Sequence, residues 1–240
     1  MPCALCHKNK PLRLSHIVPE FMYQEMYDPK HHFQGLSSVV SDRARLYQKG
    51  LREKLLCEDC EQQFGRYESY AAQVFYGGVT LPVRRCGKNM LIGSLDYKRL
   101  KLFFLSLLWR FGVTSIDVFR GSDLGPHAEK LRKMLLAEDP GDWLAYPCLA
   151  TAVTWQGKHI GDLIVPPCLA KMEGHRIWSF VVAGFVFTFF VSSHVPPTPL
   201  LPGFLQKDGS LFIAIREITE IDFLHRFAYE IRNAQKVKSG

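Results

Sequence analysis

The sequence lacks an apolar run long enough to cross a membrane comfortably. Its longest such run, "IWSFVVAGFVFTFFV", extends from Ile177 to Val191, whereas a membrane-spanning helix needs about 20 apolar residues. The run is rich in aromatic and β-branched residues and has Ala183-Gly184 at its middle. This pattern predicts two buried strands joined by a tight turn or bulge, and we expect no membrane partner.

The sequence also has no internal repeats and no low-complexity segment, and we expect no signal peptide. Its first residues, "MPCALCHKNK", are polar and already contain cysteines, unlike the apolar segment of a secretory signal. We therefore expect a cytoplasmic protein whose thiols stay reduced. Disorder is expected only in the last few residues, "AQKVKSG", which are polar and terminal.

The sequence does contain enough apolar residues to build a core. Hydrophobic residues occupy 47% of the 240 positions, which suits one large domain or two small ones. Lysine and arginine together number 30 against 23 aspartates and glutamates, giving a formal net charge of +7. A positive balance favours polyanionic partners, and we expect DNA or RNA.

The seven cysteines fall into two groups. Two Cys-x-x-Cys pairs are formed by Cys3, Cys6, Cys57 and Cys60. Four thiolates are enough for a closed tetrahedral zinc site, which would be structural because no coordination position stays open. The alternative is two unrelated pairs of buried thiols. The other three are scattered, and we expect them to be buried structural thiols: Cys86, Cys148 and Cys168.

Hydrophobic periodicity predicts an α+β fold in two parts. Residues 1–80 hold both cysteine pairs and end in a helix, 81–93 form a connector, and 94–240 form an α+β domain with an antiparallel sheet and packed helices. Within the second part, "DYKRLKLFFLSLLWRFG" predicts a helix over 97–111 with Asp96 as its N-cap. That helix is apolar almost all round, so it must be buried on more than one side.

Three pieces of the N-terminal part, "CALC", "LSHIVP" and "LLCEDCE", resemble the ββα-metal (HNH) endonuclease family in its version stapled by a four-cysteine zinc. This resemblance covers about residues 1–76. "SHIVPEF", "QKGLREKLLCEDCEQQFGRYE" and "LSLLWRFG" are similar to an uncharacterised group of bacterial HNH-like proteins with an α+β extension. The resemblance implies a zinc-stapled ββα unit, metal-dependent hydrolysis of nucleic-acid phosphodiesters, and a C-terminal domain for regulation or substrate selection.

The resemblance also implies roles for individual residues. His16 falls at the position of the general base, Ser15 at that of the first metal ligand and Glu61 at that of the helix ligand. Ser15 stands where the family usually has aspartate, and Glu61 where it usually has asparagine or histidine. The ligand set would therefore be rearranged, with Glu68 as an additional carboxylate. The catalytic ion would be Mg²⁺, Mn²⁺ or Zn²⁺, besides the structural zinc.

Elementary chemistry agrees with these roles. Hydrolysis needs a base that deprotonates water and a cation that neutralises the leaving oxygen. Glu61 and Glu68 are seven residues apart, so on a helix they point about 20° from each other. The structural alternatives are a packed core histidine at position 16 and a Glu68 that pairs with Arg66 or with a basic residue of the second half.

Basic residues near the second cysteine pair alternate with apolar ones: Arg43, Arg45, Lys49, Arg52 and Lys54. In a nuclease they would contact the phosphate backbone, whereas in many proteins such residues form only a solvated face. The rival interpretation of the whole chain is a catalytically inactive module that uses the zinc unit as a scaffold to bind nucleic acid or protein.

Overall fold

The N-terminal part consists of two antiparallel strand pairs and a long helix. The structure is a computed structural model that describes residues 1–30, 32–35, 45–119, 121–192 and 194–225. The first elements are β1 (Leu12–His16), β2 (His32–Gly35), β3 (Arg45–Gln48), β4 (Arg52–Cys57) and α1 (Glu58–Tyr76). β1 pairs with β4, and β2 pairs with β3. Helix α1 starts directly after β4 and ends at Gly77, whose φ of 87° suits glycine.

The rest of the chain forms one large sheet and two helices. Its elements are β5 (Val83–Cys86), β6 (Asn89–Ile92), α2 (Tyr97–Val113), α3 (Pro126–Leu136), β7 (Cys148–Trp155), β8 (Lys158–His159), β9 (Val165–Met172), β10 (His175–Val182), β11 (Phe185–Phe190) and β12 (Leu211–Glu217). The strand order is β5-β6-β12-β7-β11-β10-β9, and β8 pairs with β7. Short 3₁₀ helices cover Glu20–Tyr23, Asp117–Phe119, Thr198–Gly203 and Ile218–Glu220.

The α+β class is confirmed, but two details of the expected architecture are corrected. Segment 81–93, predicted to be a connector, contains β5 and β6, and β6 pairs with β12. The sheet, predicted to be antiparallel, is mixed because β12 runs parallel to β7. The hairpin was missed because "VRRCGKNMLI" has no regular alternation, and its strands form against a partner distant in sequence. The division of the chain into two domains stays a prediction.

Helix α2 is buried on several sides, as its sequence predicted. Asp96 caps it by accepting a hydrogen bond from the backbone N–H of Arg99. One side packs on α1, where the rings of Trp109 and Phe64 meet edge to face at 6.0 Å. Another side packs on the sheet, where the Phe104 and Phe187 rings are 5.6 Å apart. α2 therefore lies between the helix of the N-terminal part and the large sheet.

The long apolar run forms the two strands that the sequence predicted. β10 and β11 pair antiparallel across a turn at Ala183 and Gly184, which have φ values of 50° and 73°. Side chains on both faces of this pair are buried, which explains why the run is apolar without alternation. In the described residues, no helix combines the length and apolar character needed to span a bilayer.

Candidate functional site

Four cysteines converge where the first turn of the chain meets the start of α1. Cys57 is the last residue of β4 and Cys60 lies in the first turn of α1, while Cys3 and Cys6 belong to the turn that precedes β1. Their sulfur atoms all lie within 4.8 Å of one another. Pairing of β1 with β4 therefore brings together two pairs that are about fifty residues apart in sequence.

The spacing of the sulfurs fits a tetrahedral metal ion. Sγ of Cys6 and Sγ of Cys57 are 3.8 Å apart, and a zinc ion bound at about 2.3 Å separates tetrahedral sulfurs by about 3.8 Å. The backbone N–H of Cys57 donates to Sγ of Cys3 at 3.3 Å. Burial alone would raise the pKa of Cys3, but backbone hydrogen bonds outweigh it and lower that pKa to about 7. The cluster could therefore hold a metal ion such as zinc.

His16 ends β1 and is held through one ring nitrogen. Its Nε2 lies 2.7 Å from Oε2 of Glu20 and 3.1 Å from the backbone oxygen of Lys49. Glu20 also accepts a hydrogen bond from the hydroxyl of Tyr27 at 3.0 Å. Because both partners of Nε2 are acceptors, we assign the ring proton to Nε2. In the neutral ring, Nδ1 then keeps the lone pair that a general base uses.

Close packing at Gly50 fixes the orientation of this ring. Gly50 has a φ of 72°, and a Cβ there would lie 3.0 Å from Cδ2 of His16 and 2.9 Å from Cε2 of Tyr23. The Tyr23 ring is fully buried, and its hydroxyl accepts a hydrogen bond from the N–H of Leu51 at 3.0 Å. A larger residue at position 50 would therefore force the Tyr23 ring to shift and would crowd the imidazole of His16.

Ser15 and Glu61 meet inside the β1–β4–α1 unit. Ser15 is buried, and its hydroxyl accepts a hydrogen bond from the N–H of Leu56 at 3.0 Å. Burial raises the pKa of Glu61, while a hydrogen bond from Ser15 and the charge of Arg110 partly oppose the rise. Oε1 of Glu61 is buried, and among the described residues it has no hydrogen-bond partner. A buried carboxylate oxygen in this condition fits an oxygen-preferring cation or an ordered water.

Glu68 has a partner from the second half of the chain. Its Oε1 accepts a hydrogen bond at 2.7 Å from Nη1 of Arg110, which is only 3% exposed. The same Nη1 donates to the backbone oxygen of His16 at 2.9 Å. The guanidinium also lies over the ring of Phe64, 5.4 Å from its centroid. Arg110 thus connects α2, α1 and the end of β1, and it supplies a positive charge beside both carboxylates.

The basic residues predicted to contact nucleic acid lie partly beside His16. Arg52 stands opposite His16 in the β1–β4 register, and Lys54 stands opposite Leu14. Residues directly opposite on antiparallel strands share one face of the sheet. Lys49 and Lys54 are exposed and Arg52 is half-buried. Arg43 and the side chain of Arg45 lie outside the described residues.

The sequence motifs do not identify Glu20, Gly50 or Arg110 as part of this site. For Glu20 and Arg110, however, the sequence has a feature that could have indicated a role. Glu20 follows His16 by four residues, and Arg110 is a charge within the apolar run "LFFLSLLWRFG", where a charge is costly unless it is paired. The partner of Arg110 could not be chosen from the sequence, because Glu68 and the backbone of His16 approach it only in the folded chain.

Comparison of the chain with protein-family models, curated proteins and solved structures finds no match. Its function is therefore inferred from two groups of its own residues. One is the four-cysteine cluster, which within the described residues is the single group of three or more potential ligand side chains close enough to bind one metal ion. The other is the cluster of Ser15, His16, Glu61, Glu68 and Arg110.

Proposed function

We propose that the chain is a metal-dependent nuclease of the ββα-metal type that hydrolyses nucleic-acid phosphodiesters, with His16 as its general base. One observation carries the proposal. Nε2 of His16 is engaged by Glu20 at 2.7 Å and by the carbonyl of Lys49 at 3.1 Å, which leaves Nδ1 to take a proton from water. The order β1, β4, α1 around a four-cysteine cluster further supports it.

In this proposal the cysteines hold a structural zinc and Glu61 holds a second divalent ion. The partnerless Oε1 of Glu61 and the adjacent Ser15 hydroxyl are oxygen donors, which suit Mg²⁺ or Mn²⁺. An ion bound there would neutralise the charge that develops on the leaving oxygen. The charge of Glu68 is already compensated by Arg110, which bonds its Oε1, so Glu61 is assigned as the main metal ligand and Glu68 as a supporting carboxylate.

Substrate binding is assigned to the exposed face of β4. Arg52 and Lys54 lie on the His16 face of the β1–β4 pair. Lys49 precedes β4, and its backbone oxygen contacts Nε2 of His16. The chain carries a net charge of +7. Such contacts neutralise phosphates and position the strand without reading its sequence. The proposed substrate class is accordingly nucleic acid in general, either DNA or RNA.

Cleavage of supercoiled plasmid and of single-stranded RNA, with Mg²⁺ or Mn²⁺, tests the proposal. His16→Ala should reduce the cleavage rate by about 100- to 10,000-fold while binding of the substrate persists, because loss of a general base removes a proton transfer and not affinity. The matched control is His32→Ala. His32 likewise faces a carboxylate four residues away, Asp28 at 3.4 Å, with a similarly exposed side chain. The control should cleave like the wild type; equal rates for wild type and His16→Ala would contradict the proposal.

A second candidate is a nucleic-acid-binding module without catalysis. The observation that favours it is the Arg110 guanidinium, which is buried beside Glu61 and Glu68 and offers these carboxylates a permanent positive charge. A side chain in that role can replace a metal ion, and the site would then be structural.

The same assay separates the two candidates. Wild-type protein that binds plasmid or RNA in a salt-dependent manner but cleaves neither, with either ion, would favour the binding module. Cleavage that disappears in Glu61→Gln and is partly restored by excess Mn²⁺ would favour the nuclease, because the variant weakens metal binding and leaves His16 in place.

A further inference from the structure

A cleft separate from the His16 site lies between the end of α1 and the large sheet. Two adjoining cavities of about 350 Å³ and 500 Å³ share Glu25 and His159 in their walls. The first is lined by Tyr76 at the end of α1 and by residues of β5, β7 and β11. The second is lined by the turn between β7 and β8. Their volumes are in the range of small-molecule sites.

Aromatic rings form the apolar part of this cleft. Trp155 is 51% exposed and Tyr76 is 39% exposed, which is unusual for such large side chains in this protein. Phe185 stands deeper, with its ring centroid 5.0 Å from Phe75 and 5.4 Å from His159. Exposed aromatic faces next to a cavity suit a flat aromatic ligand that can stack on them.

Charged groups stand around these rings without partners of their own. Arg85 and Glu25 line the first cavity, and Lys158 lines the second. Within the part of the chain that the structure describes, none of the three forms an ion pair. Asp162 adds a second carboxylate at the wall of the second cavity. Two cations and two carboxylates around an aromatic cleft match a ligand that combines an anion with hydrogen-bond donors.

The walls of the cleft are held in place before any ligand binds. The Glu217 carboxylate accepts hydrogen bonds from the backbone N–H groups of Gln156 and Gly157, at 3.0 and 2.9 Å, and from the Thr154 hydroxyl. These bonds fix the turn between β7 and β8. His159 packs directly on the backbone of Gly184, where a Cβ would collide with its ring. A pre-formed wall loses little freedom on binding.

From this arrangement we propose that the cleft binds a nucleotide, with the base among the aromatic rings and the phosphate on Arg85 and Lys158. The cleft shares no residue with the cluster around His16, so the proposal goes beyond the hydrolysis assigned to that cluster and does not depend on it. The nucleotide comes either from a free mononucleotide or from one unit of a nucleic-acid strand, which present the same base and phosphate.

The carboxylate of Glu25 favours guanine among the bases. A carboxylate has two acceptor oxygens and no donor, and guanine offers two parallel N–H donors on one edge, whereas adenine offers one amino group there. Glu25 lies against the backbone of Gly161 and within electrostatic range of Tyr76, where its charge adds to the effect of burial in raising the pKa of that phenol. It is therefore positioned between Tyr76 and the segment that follows β8.

Titration of the full chain with 5′-GMP, 5′-AMP, inorganic phosphate and a short single-stranded oligonucleotide tests the proposal. Binding is followed by quenching of Trp155: Trp109 and Trp178 are only 1% exposed, and the half-buried Trp143 does not line the cleft. Loss of the quenching in Trp155→Phe assigns the signal. Arg85→Ala should weaken nucleotide binding about tenfold or more, as expected for a lost charge-assisted hydrogen bond. The matched control is Arg84→Ala, because Arg84 is the neighbouring exposed residue of β5 but does not line the cleft.

The outcomes decide both the site and the source of the nucleotide. Saturable GMP binding that is tighter than AMP binding, weakened by Arg85→Ala and unchanged by Arg84→Ala, supports a free nucleotide as the ligand. The same pattern with the oligonucleotide alone supports a unit of a strand. Binding that Arg84→Ala and Arg85→Ala weaken equally, or no quenching by any probe, would overturn the proposal. His16→Ala should leave this binding unchanged, so failure of the nuclease proposal would be recognised separately.

Discussion

At the scale of single residues, the buried guanidinium of Arg110 connects the second half of the chain to the strand that carries His16. Nη1 bonds both Oε1 of Glu68, at 2.7 Å, and the backbone oxygen of His16, at 2.9 Å. Nη2 bonds the hydroxyl of Ser106 at 3.2 Å. Removing one member of a buried ion pair leaves the other charge uncompensated, so this residue should matter for stability as well as for the position of His16.

Arg110→Met should therefore lower the free energy of unfolding by about 3 kcal/mol, the low end for a buried pair, because the Glu68 side chain left behind is 24% exposed. Glu68→Gln in the Arg110→Met background should restore part of that loss, because it removes the uncompensated carboxylate. Urea unfolding of the two single variants and the double variant measures the coupling. Arg66→Met is the control. The ion pair of Arg66 with Glu138 has the same 2.7 Å distance but is exposed, so this variant should lower the free energy of unfolding by about 1 kcal/mol or less. Additive effects of Arg110→Met and Glu68→Gln would contradict the buried pair.

At the scale of elements, α2 carries a second buried cation, which forms no ion pair with a carboxylate in the part of the chain that the structure describes. Lys101 is 3% exposed, and its ammonium donates to the backbone oxygens of Trp143 and Tyr146 at 3.3 and 3.2 Å. Burial lowers its pKa to about 8, although Cys148 and Asp142 oppose the shift. The unfolded chain, where lysine has its ordinary pKa near 10.5, binds this proton more readily than the folded chain.

Stability should accordingly rise with pH between about 8 and 10.5, because in that window the unfolded state holds more protons than the folded state. Lys101→Met removes the titrating group. Between pH 7.5 and pH 9.5 the free energy of unfolding of the wild type should therefore rise by about 2 kcal/mol relative to that of the variant. Urea unfolding of both proteins at the two pH values gives this difference, in which other titrating groups cancel. A difference that does not change with pH would show that Lys101 is not protonated and desolvated as described.

The elements differ in how far the sequence alone could predict them. Helix α2 was predictable because an unbroken apolar period and the cap at Asp96 are local features. The β5–β6 hairpin was not, since its strands depend on pairing with β12, more than a hundred residues later in the chain. The same distinction applies to the residues of the candidate site. Short sequence motifs predict roles for His16 and Glu61, whereas Arg110 comes close to them only because α2 packs on α1.

At the scale of the whole molecule, the four-cysteine cluster joins the first turn of the chain to the start of α1. A continuous hydrophobic core connects this N-terminal part to the large sheet. The buried core includes Cys3, Phe64 of α1, Trp109 of α2 and Phe187 of β11. A metal ion at the cysteines would hold the start of the chain to α1, and binding free energy of this kind contributes directly to folding.

Metal analysis of protein purified without chelator should find about one zinc per chain. Cys60→Ser should lose the zinc and lower the melting temperature, because it removes one of the four sulfurs. Cys168→Ser is the control, and it should keep both the zinc and the melting temperature. Cys168 lies outside the cluster, and it is exposed, as is Cys86, whereas the sequence predicted both to be buried; only Cys148 of the three is buried. Folded wild-type protein without zinc would refute a structural zinc site.

The central claim is that His16 is held through Nε2 so that Nδ1 can take a proton, and side-chain NMR tests it most directly. Long-range ¹H–¹⁵N correlation spectra recorded at about pH 8, where an ordinary imidazole is neutral, distinguish the two tautomers of each histidine. The signals of His16 are identified by their loss in His16→Gln. We predict a protonated Nε2 and an unprotonated Nδ1, as the contacts with Glu20 and Lys49 require. A protonated Nδ1 with a bare Nε2 would contradict the account, because the nitrogen assigned to accept the proton would already carry one.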